Sequence, residues 1–142
     1  MKFTCTIDIN ASRDKVVSVF LDPSKQHHFQ DGFIRKELLS GKINEVGTKS
    51  KLIYKKLELI ETVQLNNLPD TFKGLYEHKH TTNTMYVTFT SINAETTRYA
   101  SEIDYIKLNG FIIKIMIKLF PGMLRKQVDT WMRQFKLYIE NE

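Results

Sequence analysis

The sequence predicts an α+β protein in which a curved, seven-stranded antiparallel sheet wraps around a long, proline-kinked C-terminal helix. Two short helices are expected after the first strand. Three observations carry this. Phe3, Cys5, Ile7 and Ile9 alternate with Lys2, Thr4, Thr6 and Asp8, the pattern of a half-buried strand. Six further strand-like segments follow, separated by short turns. Residues 110–142 then read GFIIKIMIKLFPGMLRKQVDTWMRQFKLYIENE, a helical pattern whose opening stretch Phe111–Phe120 is interrupted only by Lys114 and Lys118. A helix that apolar needs a partner surface, and a curved sheet supplies one.

Each element has its own local reason. After the first strand, Ser12 precedes RDKVVSVFLD, where Val16, Val17, Phe20 and Leu21 form an apolar helical stripe. Its hydroxyl suits an N-cap, because it can accept from a free N–H of the first turn. Asp22-Pro23 ends that helix, and SKQHHFQDG reads as a second short helix closing at Gly32. Strands are expected at 33–39, 48–54, 57–65, 71–78, 84–92 and 97–108. Gly41, Gly47, Asn66-Asn67-Leu68-Pro69 and Asn93-Ala94 punctuate them with turn chemistry. Connections this short imply antiparallel neighbours in a meander. In the C-terminal pattern Pro121 removes a backbone donor and is expected to kink or break the helix. An apolar segment, 110–120, then joins an amphipathic one, 122–140. The latter buries Leu124, Val128, Trp131, Met132, Phe135 and Ile139 and wets Arg125, Asp129, Arg133, Lys136 and Glu140.

Composition excludes several classes. The chain has 142 residues, enough for a substantial core, with no linker or repeat, so one domain over 1–142 is expected. Met1–Ile9 alternates like a strand and does not read as a signal peptide, so a cytoplasmic location is the default. No apolar run approaches the ~20 residues of a membrane span. Cys5 is the single cysteine, which excludes an internal disulfide, and its strand position suits a small buried hydrophobe. The net charge of +5 is mild. Lys49, Lys51 and Lys55 share one parity of a strand, so a solvated face explains the densest basic run. Nucleic-acid binding is not expected, since no aromatic interleaving or recognition helix accompanies the charge. No phosphate loop, dinucleotide glycine pattern, nucleophile elbow or HExxH occurs, and no cofactor is implied.

The order strand, two small helices, six strands and terminal helix resembles the START-like or SRPBCC superfamily, the helix-grip fold. IDINASRDKVVSVFLDP resembles its first strand, capped first helix and Asp-Pro lead into the second. Ser40-Gly41 and Val46-Gly47-Thr48 resemble its glycine spacing, and FPGMLRKQ…FKLYIE is similar to a bacterial subgroup described as polyketide cyclase/dehydrase. Phe29 stands where many relatives have a tryptophan. The resemblance implies a deep cavity between sheet and terminal helix. Members bind lipids, sterols, hormones, polyketides or aromatic compounds, and some catalyse cyclisation or dehydration. It transfers no catalytic residue, because catalytic residues differ between branches of the family.

Strand parity nominates the cavity wall. Leu52, Tyr54, Leu59, Glu61, Phe72, Tyr76, His78, Val87, Phe89, Ile103 and Tyr105 fall on one face, and Ile112, Met116, Phe120 and Met123 would roof it. A filled core would use the same aromatic and aliphatic positions. Glu61 shares the parity of Leu57, Leu59, Val63 and Leu65. Turned inward, its carboxylate needs a partner and suits a general acid or base; a one-residue register change would put it in water. His78 is the second acid–base candidate. The tyrosines could polarise a ligand carbonyl. His78 with His80 is not expected to hold a metal, because no carboxylate completes a set.

Three functions compete. The first is a binding or carrier protein for a hydrophobic or aromatic small molecule. The second is a cyclase- or dehydratase-type enzyme using Glu61 or His78. In the third, FIIKIMIKLF docks on anionic membrane to load cargo, although burial of that segment under the sheet is the favoured expectation. Monomer and homodimer are both compatible with the sequence.

Overall fold

The computed structural model describes residues 1–142. Strand β1 (Lys2–Ile9) leads into helix α1 (Arg13–Leu21) and a 3₁₀ helix (Pro23–His28). Six strands follow: β2 (Phe33–Ser40), β3 (Lys49–Tyr54), β4 (Glu58–Asn67), β5 (Thr71–Glu77), β6 (Thr81–Asn93) and β7 (Thr96–Leu108). Helices α2 (Phe111–Leu119) and α3 (Met123–Glu140) end the chain. The caps follow sequence logic: Lys15 N–H donates to Ser12 Oγ at 3.3 Å and Ser24 N–H to Asp22 Oδ1 at 3.0 Å. The short second helix is 3₁₀ rather than α, and Phe29 at its end packs its ring edge-on against Phe135 of α3, with centroids 4.8 Å apart.

All seven strands form one antiparallel sheet in the order β1-β7-β6-β5-β4-β3-β2. The chain starts at one edge, crosses through the two small helices to the other, and meanders back. This is the expected α+β helix-grip architecture with one correction. Pro121 does not kink a continuous helix; it separates two. Phe120 sits at φ −129°, ψ 68°, outside helical space, as steric conflict with the proline ring demands of the preceding residue. Gly122 then starts α3 afresh. The break frees α2 to point away from the face that α3 buries.

The main core gathers Ile9, Val16, Val19, Val87, Phe89, Tyr99, Met132, Phe135 and Ile139. Phe20 of α1 drives its ring edge into Phe72 and Phe89, with centroids 5.6 and 5.2 Å away. That end of the sheet is filled. A smaller cluster of Phe33, Leu52, Tyr54 and Tyr76 lies apart from it.

Candidate functional site

Between the second cluster and α3 the structure leaves a cavity of about 660 Å³, lined by 33 residues of which 18 are hydrophobic. Its volume is in the range of small-molecule sites, and its mainly apolar lining suits an apolar body. One wall is sheet: Leu52, Tyr54, Leu59, Glu61, Phe72, Tyr76, His78, Ile103 and Tyr105 all line it. The facing wall is α3, through Leu124, Val128, Trp131, Met132 and Phe135.

Six nominated residues lie elsewhere. Val87 and Phe89 face the expected way, but the α1 aromatic Phe20 and α3 fill the space above them, so they are core rather than cavity wall. Ile112, Met116, Phe120 and Met123 do not line the cavity either. Because the chain breaks at Pro121, α2 never lies under the sheet, and none of its residues is buried. The roof is supplied by the amphipathic helix that follows.

The polar centre of the cavity is Glu61, only 7% exposed. Its register partner Tyr76 donates a hydroxyl hydrogen bond to Oε2 at 2.8 Å, and Lys36 Nζ lies 2.9 Å from Oε1. Both carboxylate oxygens are engaged. Burial, then the Glu61 charge, holds the Tyr76 hydroxyl well above the ordinary phenol range. Tyr54 is raised by the same two causes in the same order. Its hydroxyl donates to Gln30 Oε1 at 2.7 Å, and its ring lies parallel to Trp131 at 6.1 Å. Gln26 shares the same Gln30 oxygen at 2.6 Å. Burial alone raises Tyr105.

Lys36 was not nominated from the sequence, and the reason is local. Phe33 pairs with Tyr54 but Arg35 with Ile53, so a bulge shifts the register of β2 by one residue. Strict alternation from Phe33 would turn Lys36 outward; the bulge pairs it with Leu52 and turns it toward the cavity. No composition signal marks that bulge. Trp131, Val128 and Phe135 were legible as the buried stripe of the last helix, but not as cavity wall. Gly74 is a further missed residue: an added Cβ there would stand 2.7 Å from the Tyr76 hydroxyl, so its bare backbone is what lets the tyrosine ring lie over β5.

His78 sits at the cavity rim, its imidazole pushed toward the neutral form by burial and then by His80 and Lys79. The two rings meet edge-on with centroids 5.3 Å apart. The hairpin between them is tighter than expected: β6 begins at Thr81, and His78 N–H donates to Thr81 O at 2.9 Å. No group of three or more His, Cys, Asp or Glu side chains comes together in the geometry of a metal centre.

No family model matches the sequence, and no curated protein matches it. Solved structures do. A conserved protein from Geobacillus kaustophilus superposes with TM-score 0.78 at 18% identity, covering 99% of this chain and 96% of its own. An aromatase/cyclase from Streptomyces sp. R1128 superposes with TM-score 0.80 at 10% identity, over 99% of this chain and 93% of its own. A START superfamily protein from Mycobacterium smegmatis gives 0.65 at 12% identity, over 94% and 97%. The chain therefore has the START-like (SRPBCC) helix-grip fold. At these identities the likeness defines architecture, and the chemistry must be argued from the cavity itself.

Proposed function

We propose that this is a cytoplasmic binding protein that takes an apolar or aromatic small molecule into the cavity between the sheet and α3. The observation that carries the reading is an internal space of about 660 Å³ with mainly apolar walls and one organised polar centre, Lys36–Glu61–Tyr76. Burying apolar ligand surface favours binding by about 25 cal/mol per Å², before ordering and polar desolvation are subtracted. Lys36 keeps ammonium hydrogens beyond those directed at Glu61, so a ligand oxygen acceptor at that end of the cavity would find a donor.

A second reading, a cyclase- or dehydratase-type enzyme, is favoured by the carboxylate facing the cavity and by the aromatase/cyclase among the structural neighbours. It is the weaker one. A general base works through a lone pair directed at substrate, whereas Lys36 and Tyr76 already take one lone pair on each Glu61 oxygen and fix the carboxylate between them.

The test uses Trp131, the only tryptophan, which stands in the cavity wall. Native mass spectrometry of gently purified protein should show an apolar adduct, and titration with long-chain fatty acids and polycyclic aromatics should shift Trp131 emission. Leu59→Phe, which narrows the cavity, should weaken that response at least tenfold. An adduct-free mass together with unchanged emission across the panel would reject the reading.

A further inference from the structure

Helix α2 is the feature that the cavity does not explain. Phe111, Ile112, Leu119 and Phe120 are 78, 73, 67 and 62% exposed. Ile112, Ile115, Met116 and Leu119 follow the i, i+3, i+4, i+7 spacing, so they form one continuous apolar face in solvent. Lys114 and Lys118 lie together on another side of the helix, about 130° round from the centre of that face. A face of this kind is normally covered in the working state of a protein.

Charge says by what. Between Asp104 and Asp129 there is no acidic residue, but there are Lys107, Lys114, Lys118, Arg125 and Lys126. None of the five makes an ion pair within the structure. The chain carries 21 basic and 16 acidic residues, so the remainder balances at 16 of each and the whole net charge of +5 resides in this segment. A second copy of the chain is a poor cover, because a twofold contact through α2 would bring like charges together with no carboxylate between them. A protein partner would find no hydroxyl, amide or carboxylate side chain from Phe111 to Pro121 with which to set its register. An anionic lipid surface requires neither register nor carboxylates of the protein: it takes the apolar face into the acyl boundary and the lysines at the headgroups.

We propose that α2 docks this protein in the plane of an anionic membrane surface. At nine residues the helix is far too short to cross a bilayer, and no helix of the chain is long and apolar enough to do so. The geometry places the cavity beside the docked surface. Tyr105 of β7 and Leu124 of α3 are both cavity wall, and α2 is the segment that joins those two elements. The docking does not rest on the cavity reading; only the inference that cargo would pass between lipid and cavity does.

The experiment is co-sedimentation with phosphatidylcholine vesicles, with and without phosphatidylglycerol. The wild-type chain should bind the anionic vesicles at least tenfold more tightly than the neutral ones and release as salt is raised. Ile112→Gln with Leu119→Gln should lower vesicle binding at least tenfold at unchanged thermal stability, since both side chains are exposed. Lys114→Glu with Lys118→Glu should abolish the preference for anionic lipid. The proposal is overturned if neither vesicle sediments the protein, if both do so equally, or if neither double variant changes binding. It is also overturned if sedimentation velocity shows a dimer, without vesicle binding, that Ile112→Gln/Leu119→Gln dissolves. Leu59→Phe should leave vesicle binding intact, so failure of the cavity reading and failure of docking are read separately.

Discussion

At the scale of single residues, the centre of the site is a buried carboxylate whose cost is met by two partners. A carboxylate removed from water is tolerated when it is paired and hydrogen-bonded, and Glu61 is both. Tyr76→Phe keeps the ring but deletes the donor to Glu61. It should cost about 2 kcal/mol, read as a lower urea midpoint at unchanged slope; an unmoved midpoint would mean that water replaces the hydroxyl and that the contact is not structural. Cys5 behaves in the opposite way, as a hydrophobe. It is 2% exposed, and burial, followed by the nearby Asp129, pushes its thiol up to about 11. Thiol reagents at pH 8 should therefore modify Cys5 only as fast as the protein opens. Reaction at the rate of a free thiol would contradict its placement.

At the scale of elements, two strands carry local departures on which the site depends. The β2 bulge turns Lys36 inward, and the bare backbone of β5 at Gly74 leaves room for Tyr76. Replacing a strand glycine by alanine ordinarily gains about 0.5–1 kcal/mol. Here the sign should reverse: Gly74→Ala places a methyl group where the Tyr76 ring lies, and should destabilise by about 1–3 kcal/mol through overpacking and loss of the Glu61 contact. Thermal denaturation decides it, and a gain in stability would show that the ring has another place to go. Among the helices, hydropathy alone gives the wrong ranking of burial. The most apolar segment, α2, is the exposed one, while the amphipathic α3 buries Met132, Phe135 and Ile139. A nine-residue helix set off by a proline break has no geometric means of following the sheet.

At the scale of the molecule, the inward face of the sheet is divided. Phe20 of α1 and the last turns of α3 fill the end built on Val87 and Phe89, and the end built on Tyr54, Glu61, Tyr76 and Tyr105 is left hollow. Burial of tyrosines at both ends governs the response to alkali. Tyr54, Tyr76, Tyr99 and Tyr105 are all held above the ordinary phenol value of 10.0, in each case first by burial. Below pH 10 the tyrosines are protonated in both states and this contribution is intact. As pH rises past 10 the unfolded chain loses tyrosine protons that the native molecule retains, so stability should fall, by up to about 1.4 kcal/mol per pH unit for each tyrosine. Urea midpoints measured from pH 8 to 11 should be flat and then drop. A midpoint that begins to fall well below pH 9 would point to another group.

Local and periodic features can be read from residue order. Alternation in Phe3–Ile9 and along the later strands, the Ser12 and Asp22 caps, the turn residues and the stripe Val128–Trp131–Phe135 predict the elements and their order. Strand parity puts Leu52, Tyr54, Tyr76 and Tyr105 on one face and leaves Glu61 open between that face and water. Where segments compete to pack, residue order is silent until the chain has folded. A bulge that flips Lys36, the ring of Phe20 that closes the space over Phe89, and the break at Pro121 that sends α2 outward each depend on residues distant in sequence. A cavity is the volume that such contacts fail to fill, and no single segment encodes that volume.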